Sequence, residues 1–324
     1  MRPDFIIHAN REDITDKIKN ALIALTITDE AGWQSDTLRV LLDDRDGQLL
    51  LPPTGASLAV SLGFTHTGLI NMGLYTVDTL QLQGPPATLT IEAKAADMIA
   101  GMKTKQSRLW ENITLAHLVN TIAATHGLTA KVAPSLAAQH WEKLAQSRES
   151  DMHLLTRVAH DFEAIAKVAQ GHLLLVPKGQ AQSATDQPLS QVTLRPSQVA
   201  SYQVTLADRE KYAAVKAYWH NKGTGRGVAV QAGRGKPVHA LRTTYSDATT
   251  AQRAADAKLI ALNQGAGTLQ LRLTPGQVAI GAETPLQLQG FRVGVDGDWI
   301  VTRATHTLDN NGLSSQIEAQ TAKT

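Results

Sequence analysis

The end of the chain contains the segment that most constrains its fold. Residues 297–319 hold two runs of strand-forming residues on either side of the turn Asp-Asn-Asn-Gly at 309–312. Asn and Gly tolerate the positive φ angles of a tight reversal, so this composition predicts a β-hairpin. We expect the hairpin to complete a β-sheet, with Trp299 as a packing residue rather than a ligand-stacking one. Such an ending requires partner strands elsewhere in the chain.

The first hundred residues supply candidate partner strands. Apolar and polar side chains alternate over residues 21–28, 38–42, 58–64, 75–77 and 89–93, and turn residues occupy 43–47 and 84–86. Period-two runs separated by turns predict an antiparallel β-barrel or sandwich.

A compact α/β module is predicted next. Apolar residues have helical spacing over 112–126, and Gly127 stands where a C-terminal cap belongs. A second helix is predicted to begin at Ser150 or Asp151, since either can cap free N–H groups. The segment 164–177 predicts a hairpin.

After a polar segment at 180–191, which predicts a loop or linker, the chain returns to strands. Strand-forming runs, a Gly-rich stretch and an Ala-rich helix follow in turn, at 192–194, 201–205, 213–219, 223–227 and 247–263. Strands resume from Thr268, and no tandem repeat with solenoid spacing is present.

These patterns predict a β-rich α+β fold in which two antiparallel β-rich regions, each a barrel or a sandwich, accompany an inserted or flanking small α/β module. We expect an N-terminal barrel, the α/β module, a linking region of mixed strands, Gly-rich loop and Ala-rich helix, and C-terminal barrel strands with the closing hairpin. The corresponding ranges are 1–104, 105–180, 181–265 and 266–324.

Composition excludes several classes of function. The 31 basic and 29 acidic residues leave a formal net charge of +2, which gives no global case for a nucleic-acid or membrane binder. The absence of cysteine excludes disulfides and thiolate metal sites. No apolar run approaches the roughly 20 residues that span a bilayer, and the start lacks a signal peptide. We therefore expect a soluble protein without membrane insertion.

No set of residues predicts a catalytic, cofactor-binding or metal site. His153 and His160 would lie two helical turns apart, about 10 Å, which is too far for one shared metal. The stretch 223–227 lacks the Lys and Ser/Thr of a phosphate-binding loop. Turn chemistry and helix capping explain the carboxylate pairs better than the paired acids of a glycosidase do. These pairs are Asp43/Asp44 and Glu149/Asp151.

The stretch from Lys211 to Ser246 carries an unbalanced positive charge. It contains no Asp or Glu, and its basic residues are Lys211, Lys216, Lys222, Arg226, Arg234, Lys236 and Arg242. Such a stretch indicates contact with an acidic partner surface, contact with a nucleic-acid backbone, or a solvated loop. Nucleic acid is the less favoured ligand because few aromatic residues are interleaved.

Four segments share their order and spacing with one known family. They are 25–47, with Leu-Asp-Asp-Arg-Asp-Gly at its end; 149–159, with Glu-Ser-Asp followed by Leu154, Leu155 and Arg157; 212–220, with Ala-Tyr-Trp-His at its end; and 299–313. In these segments the chain resembles the phage late control gene D proteins. Those proteins are the hubs at the base of contractile phage tails and of R-type tail-like bacteriocins.

The resemblance implies two tail-tube-like barrels per subunit and a homotrimer. The trimeric ring would meet the hexameric tail tube above and seat the trimeric central spike below, with other baseplate proteins as further partners. It implies a structural role with no enzymatic activity, cofactor or small-molecule substrate. Assembly would take place in the bacterial host cytoplasm, and the mature protein would lie in the baseplate of a virion or bacteriocin. Strands near Leu25 and those after Thr268 are expected to line the ring.

Two alternative functions stay open. A tail-associated cell-wall hydrolase would carry a lytic segment beyond the bare hub length. In a secretion-system spike of the related type, hub and spike share one chain, and the hub part continues into a C-terminal β-helix. We expect the spike to be a separate protein here, which argues against this fused form. A zymogram on peptidoglycan separates the first alternative from a structural hub, and imaging of the assembled tail tip separates the second.

Overall fold

A computed structural model describes residues 1–32, 35–95, 100–162, 164–169, 171–177, 190–206, 212–221, 223–245, 247–264 and 267–322. Parts of several predicted features lie outside these ranges. They are most of the 180–191 linker, Gln170 of the predicted hairpin turn, and positions 211, 222 and 246 of the basic stretch.

Strands dominate the described residues. They are β1 (Pro3–Ala9), β2 (Glu12–Asp13), β3 (Leu22–Glu30), β4 (Thr37–Asp43), β5 (Ser57–Phe64), β6 (Gly68–Gln83), β7 (Thr88–Ala95), β8 (Lys105–Thr114), β9 (Thr129–Val132), β10 (His140–Ser150), β11 (Ala164–Ala169), β12 (His172–Pro177), β13 (Val192–Leu194), β14 (Ser201–Leu206), β15 (Ala214–Asn221), β16 (Arg226–Gly233), β17 (Val238–Tyr245), β18 (Gly267–Leu273), β19 (Pro285–Leu288), β20 (Gly297–Asp309) and β21 (Gly312–Thr321).

Helices are fewer and mostly short. They are α1 (Thr15–Ile18), α2 (Leu115–Thr125), α3 (Pro134–Ala137), α4 (Asp151–Asp161) and α5 (Ala248–Gln264), with single 3₁₀ turns at Ala100–Lys103 and Pro196–Gln198. Among the described helices, none is both long and apolar enough to cross a membrane.

One large sheet joins the N-terminal strands to the C-terminal strands. It has 13 strands, and its main path runs β14-β18-β21-β20-β3-β4-β7-β6-β5-β1-β2, with β13 and β19 attached beside β20. Apolar residues alternate inward along these strands, as in β4, where Leu38, Val40 and Leu42 are buried. Over the described residues the path does not close on itself, so the fold is β-rich, as predicted, and the sheet is continuous across both regions.

The closing hairpin forms the junction between the two regions. β20 pairs with β21 on one side and with β3 on the other, in a register that sets Leu308 opposite both Leu313 and Leu25. The turn is held by the Asn311 N–H, which donates to Asp309 Oδ1 at 2.7 Å, and Gly312 has a φ of 108°. The predicted hairpin is therefore present, and it bridges both strand regions instead of serving the C-terminal one alone.

The α/β module follows β7. The antiparallel pair β8–β10 and the three-stranded sheet β11-β12-β9 enclose α2 and α4. Ser150 caps α4 by accepting from the His153 N–H at 3.2 Å, which confirms the predicted start of this helix. The first predicted helix begins later than its spacing indicated. Asn112 has a φ of 46° and still belongs to β8, and Thr114 caps α2.

A second insertion separates two paired strands. β14 pairs with β18 along its whole length, from Ser201 opposite Arg272 to Leu206 opposite Gly267. Between them the chain forms the sheet β16-β15-β17, which α5 covers on one face. The Gly-rich stretch comprises the turn at 223–225 and the first two residues of β16, so it leads into a strand and does not open a helix as a phosphate-binding loop would.

Among the residues that the structure describes, four hydrophobic cores correspond to these parts. They lie under the N-terminal strands, inside the α/β module, under the C-terminal strands and beneath α5. Trp299 is 2% exposed within the third core, and its Nε1–H donates to the Val295 carbonyl at 3.0 Å. This burial confirms that Trp299 is a packing residue.

Candidate assembly surface

Lys167 fastens the α/β module to the large sheet. Its Nζ leaves β11 and lies 3.2 Å from Asp29 Oδ1, 3.0 Å from the Glu30 carbonyl and 3.5 Å from Asp36 Oδ1. Asp29 and Asp36 come from β3 and the turn before β4. A single amine thus joins two of the four cores through contacts more than 130 residues apart in sequence.

The charges of this cluster perturb one another. Burial opposes the charge of Lys167, but the attraction of Asp29 and Asp36 outweighs it and raises the pKa of Lys167 above its usual range. Burial raises the pKa of Asp36 to about 6, against the attraction of Lys167 and with the help of the nearby Asp29. The cluster holds two carboxylates and one amine, so its negative charge is incompletely balanced.

A cavity of about 760 Å³ opens beside this cluster. Its lining includes Asp29, Asp36 and Lys167, together with Met72 and Val278 from the large sheet's surroundings. The three charged groups already hydrogen-bond with one another or with backbone groups. The charged side chains that line this cavity therefore serve to join the α/β module to the large sheet. Among the described residues that line it, the cavity brings together no nucleophile with a base.

His306 and Ser315 form a pair that resembles part of a catalytic triad. Ser315 Oγ accepts from the Gln277 N–H at 2.9 Å and lies 2.7 Å from His306 Nδ1, within hydrogen-bond distance. Both residues are almost fully buried between β20 and β21. Burial lowers the pKa of His306 to about 4, against the influence of Asp29 and the Ile280 backbone. A buried serine has no access to substrate, so this pair stabilises the hairpin.

The Glu-Ser-Asp run places its two carboxylates in separate structural roles. Glu149 accepts from Arg157 Nε at 3.0 Å and Nη2 at 2.7 Å, which fixes α4 to the end of β10. Ser150 is the helix cap described above. Capping therefore does not account for Glu149, contrary to the prediction.

Asp151 is fully buried and anchors a network across the module. It accepts from Arg108, from Gln146 Nε2 at 2.8 Å and from His126 Nε2 at 2.9 Å. Burial opposes its charge, but these donors outweigh burial and hold the pKa of Asp151 below its usual range. Sequence reasoning missed this role, because Arg108 and His126 lie 43 and 25 residues away.

The structure separates the other residues that the sequence singled out. His153 and His160 are exposed on α4, and Asp43 pairs with Arg45 in the turn after β4. Within the described ranges, no three His, Asp or Glu side chains gather closely enough to hold a metal ion.

The large sheet also leaves strand edges open. Among the described strands, β14 pairs with β18 alone, and residues 78–83 of β6 pair with β7 alone. Both edges carry exposed apolar side chains: Tyr202 is 47% exposed, Leu206 54% and Leu82 60%. Open edges with apolar side chains are templates for pairing with another chain.

Comparison with known proteins gives one consistent result. A family model described as phage tail baseplate hub (GPD) matches residues 76–312. The probable baseplate hub protein of Escherichia phage 186 is 32% identical over 362 residues, covering 99% of this chain and 93% of that protein.

Solved structures share the fold at low identity. The 43 kDa tail protein of prophage MuSo2 from Shewanella oneidensis has a TM-score of 0.72 at 14% identity, covering 98% of each chain. A component of the Escherichia coli type VI secretion system, described as structurally similar to the T4 tail proteins gp27 and gp5, has a TM-score of 0.57 at 10% identity. The alignment covers 94% of this chain and 74% of that one.

Proposed function

Since this chain belongs to the phage tail baseplate hub (GPD) family, we propose that it forms a trimeric ring that joins the hexameric tail tube to the trimeric central spike. Its role in the baseplate is structural, with no catalytic step. Assembly takes place in the host cytoplasm before the protein takes its place in the tail. Other baseplate proteins contact the outside of the ring.

The pair of open strand edges is the observation that supports the proposed ring. The two edges belong to the first and last of eight neighbouring strands, in the order β14-β18-β21-β20-β3-β4-β7-β6. The open part of β6 is residues 78–83. β14 has six residues, and the open part of β6 has the same number, so each edge is about 20 Å long. Two edges of equal length on one subunit are suited to head-to-tail pairing, which generates a closed ring when the rotation between subunits closes.

The far end of the sheet is blocked, which supports this choice of edges. At β1, Pro3 has no N–H, the Phe5 N–H is taken by the Asp4 carboxylate at 3.0 Å, and the Ile7 N–H donates to Thr15 Oγ1 at 3.0 Å. Proteins protect edges that must stay unpaired in this way. β14 carries no Lys, Pro or Asp that would do the same.

The two tail-tube-like barrels and the four domains also belong to this proposal. The separate cores under the N-terminal and C-terminal strands support one barrel-like unit each. We keep the division at 1–104, 105–180, 181–265 and 266–324, with β13 and β14 added to the C-terminal unit because they pair with its strands. Strands near Leu25 and after Thr268 then face the ring's interior.

The test places lysines on the β14 edge. Gln203→Lys with Thr205→Lys adds charge to an exposed edge strand, and like charges on an edge oppose pairing. The matched control is Gln270→Lys with Gln316→Lys, because these exposed residues lie on interior strands of the same sheet. Native mass measurement of the hub and electron microscopy of assembled tails give the readout.

We expect the edge variant to lose ring assembly and the control to keep it. A particle in which the edge variant still forms the ring would refute the pairing, and a monomeric hub away from the tube end would refute the ring. A cell-wall hydrolase is the second candidate function, and clearing on a peptidoglycan zymogram by the purified chain would favour it over a structural hub.

A further inference from the structure

The β15–β16–β17 sheet has one covered face and one open face. Val215, Ala217 and Ala232 pack beneath α5 together with its alanines. The alternating residues point the other way: Tyr218 and His220 are exposed and Lys216 is half-buried. Neighbouring exposed positions are small or neutral, as at Ala229. The exposure of these side chains shows that, over the described residues, this face is open to solvent.

This face and its ends concentrate positive charge. Lys216 lies opposite Ala240, and Tyr218 lies opposite Thr244, so Arg242 stands beside them on the neighbouring strand. Further cations lie at the two ends of the sheet: Arg226 is the first residue of β16, and Arg234 and Lys236 lie between β16 and β17. Among the described residues none of these five forms an ion pair, and residues 212–245 contain no Asp or Glu.

We propose that this open face docks an acidic surface of another protein. Unbalanced cations on one face draw in a complementary potential, and the exposed face leaves these cations accessible to the surface of another protein. The proposal is independent of ring closure, because the insertion lies outside the strands that carry the ring.

The placement of the aromatic residues favours a protein over a nucleic acid. Trp219 and Tyr245 pack toward α5, which leaves Tyr218 on the open face. Proteins that bind single strands stack successive bases on several aromatic side chains. Duplex readers insert a helix or ribbon into a groove, and this open face offers neither.

The experiment reverses the two central cations. Lys216→Glu with Arg242→Glu is compared with the control Lys103→Glu with Lys105→Glu, which makes the same charge change on exposed lysines of the α/β module. The probes are a fluorescent polyglutamate peptide of about 20 residues and a single-stranded oligonucleotide of equal charge, titrated into the full-length chain at low and physiological salt.

We expect the peptide to bind the wild type and the control alike and the open-face variant about tenfold more weakly, because each reversal replaces an attraction by a repulsion. Melting temperature and circular dichroism establish that both variants are folded. Equal weakening in the control would show a net-charge effect and overturn the proposal, as would the absence of peptide binding. Tighter binding of the oligonucleotide would assign the face to nucleic acid. Loss of self-association in the open-face variant alone would assign it to a second copy of the chain.

Discussion

Replacing Trp299 by Ala tests how strongly the closing hairpin holds the C-terminal core. The indole is 2% exposed, and its Nε1–H donates to the Val295 carbonyl at 3.0 Å. Truncating a buried Trp costs about 3–5 kcal/mol, and losing a buried hydrogen bond adds about 1 kcal/mol. We therefore expect a loss of at least about 4 kcal/mol in the free energy that opens β20 and β21.

Hydrogen exchange is the appropriate assay for this variant, because four separate cores need not unfold in one transition. A loss of about 4 kcal/mol corresponds to roughly a thousandfold faster exchange of the slowest β20 and β21 amides. Amides of the α/β module, such as those of α2, should keep their rates.

Two further variants serve as comparisons: the first separates packing volume from the hydrogen bond, and the second is a surface control. Trp299→Phe keeps most of the packing and should cost about 1–2 kcal/mol. Tyr218→Ala removes an exposed aromatic ring and should cost under about 0.5 kcal/mol. An exchange rate in Trp299→Ala within about fivefold of the wild type would refute the assignment of Trp299 to the core.

Three other predictions concern the junctions. Truncation after Asp309 removes β21 and exposes both β20 and β18, so the shortened chain should be insoluble or fail to assemble, as judged by soluble expression and particle imaging. Asp151→Asn removes a fully buried carboxylate from the half-buried Arg108 and should destabilise the α/β module by about 3 kcal/mol, measured by denaturant titration of module fluorescence. Burial lowers the pKa of His306 to about 4, so its contribution to stability is present above pH 6.5 and is lost as the pH falls toward 4. Burial raises the pKa of Asp36 to about 6, so its contribution is present below pH 3.8 and is lost as the pH rises through 6. The two pH dependences have opposite signs. The free energy of unfolding should therefore fall from pH 4 to 6 in His306→Asn, which keeps Asp36, and rise over the same range in Asp36→Asn, which keeps His306. Unchanged profiles in both variants would contradict the assigned burial.

Local features were predictable from the sequence because their causes are local. Ser150 caps a helix through an N–H three residues away, and the Asp-Asn-Asn-Gly turn reverses the chain within four residues. The alternation around Leu25 and Ile27 correctly separated buried from exposed positions, since it depends only on the period of a strand.

The missed features depend on partners that are distant in sequence. β8 and β10 have few buried residues, so their sequences show no clear apolar period that would predict strands. For the same reason, the sequence predicts residues 112–114 as the start of a helix, although they belong to β8. The contacts of Lys167 with Asp29 and of Asp151 with Arg108 join separate elements. No local pattern specifies such pairs, so the sequence predicts capping alone for the acids of the Glu-Ser-Asp run.

The position of the closing hairpin explains why the end of the chain has a central role in the proposed ring. In the eight-strand section, β20 and β3 are the two middle strands, with four strands on each side of their contact. Arg303 reinforces this contact, since its Nε donates to Glu30 Oε1 at 2.7 Å. Loss of the contact would divide the sheet between β20 and β3 and leave a newly exposed edge on each piece, and such edges would pair indiscriminately. Ring formation through the outer edges therefore requires that the hairpin first dock on β3.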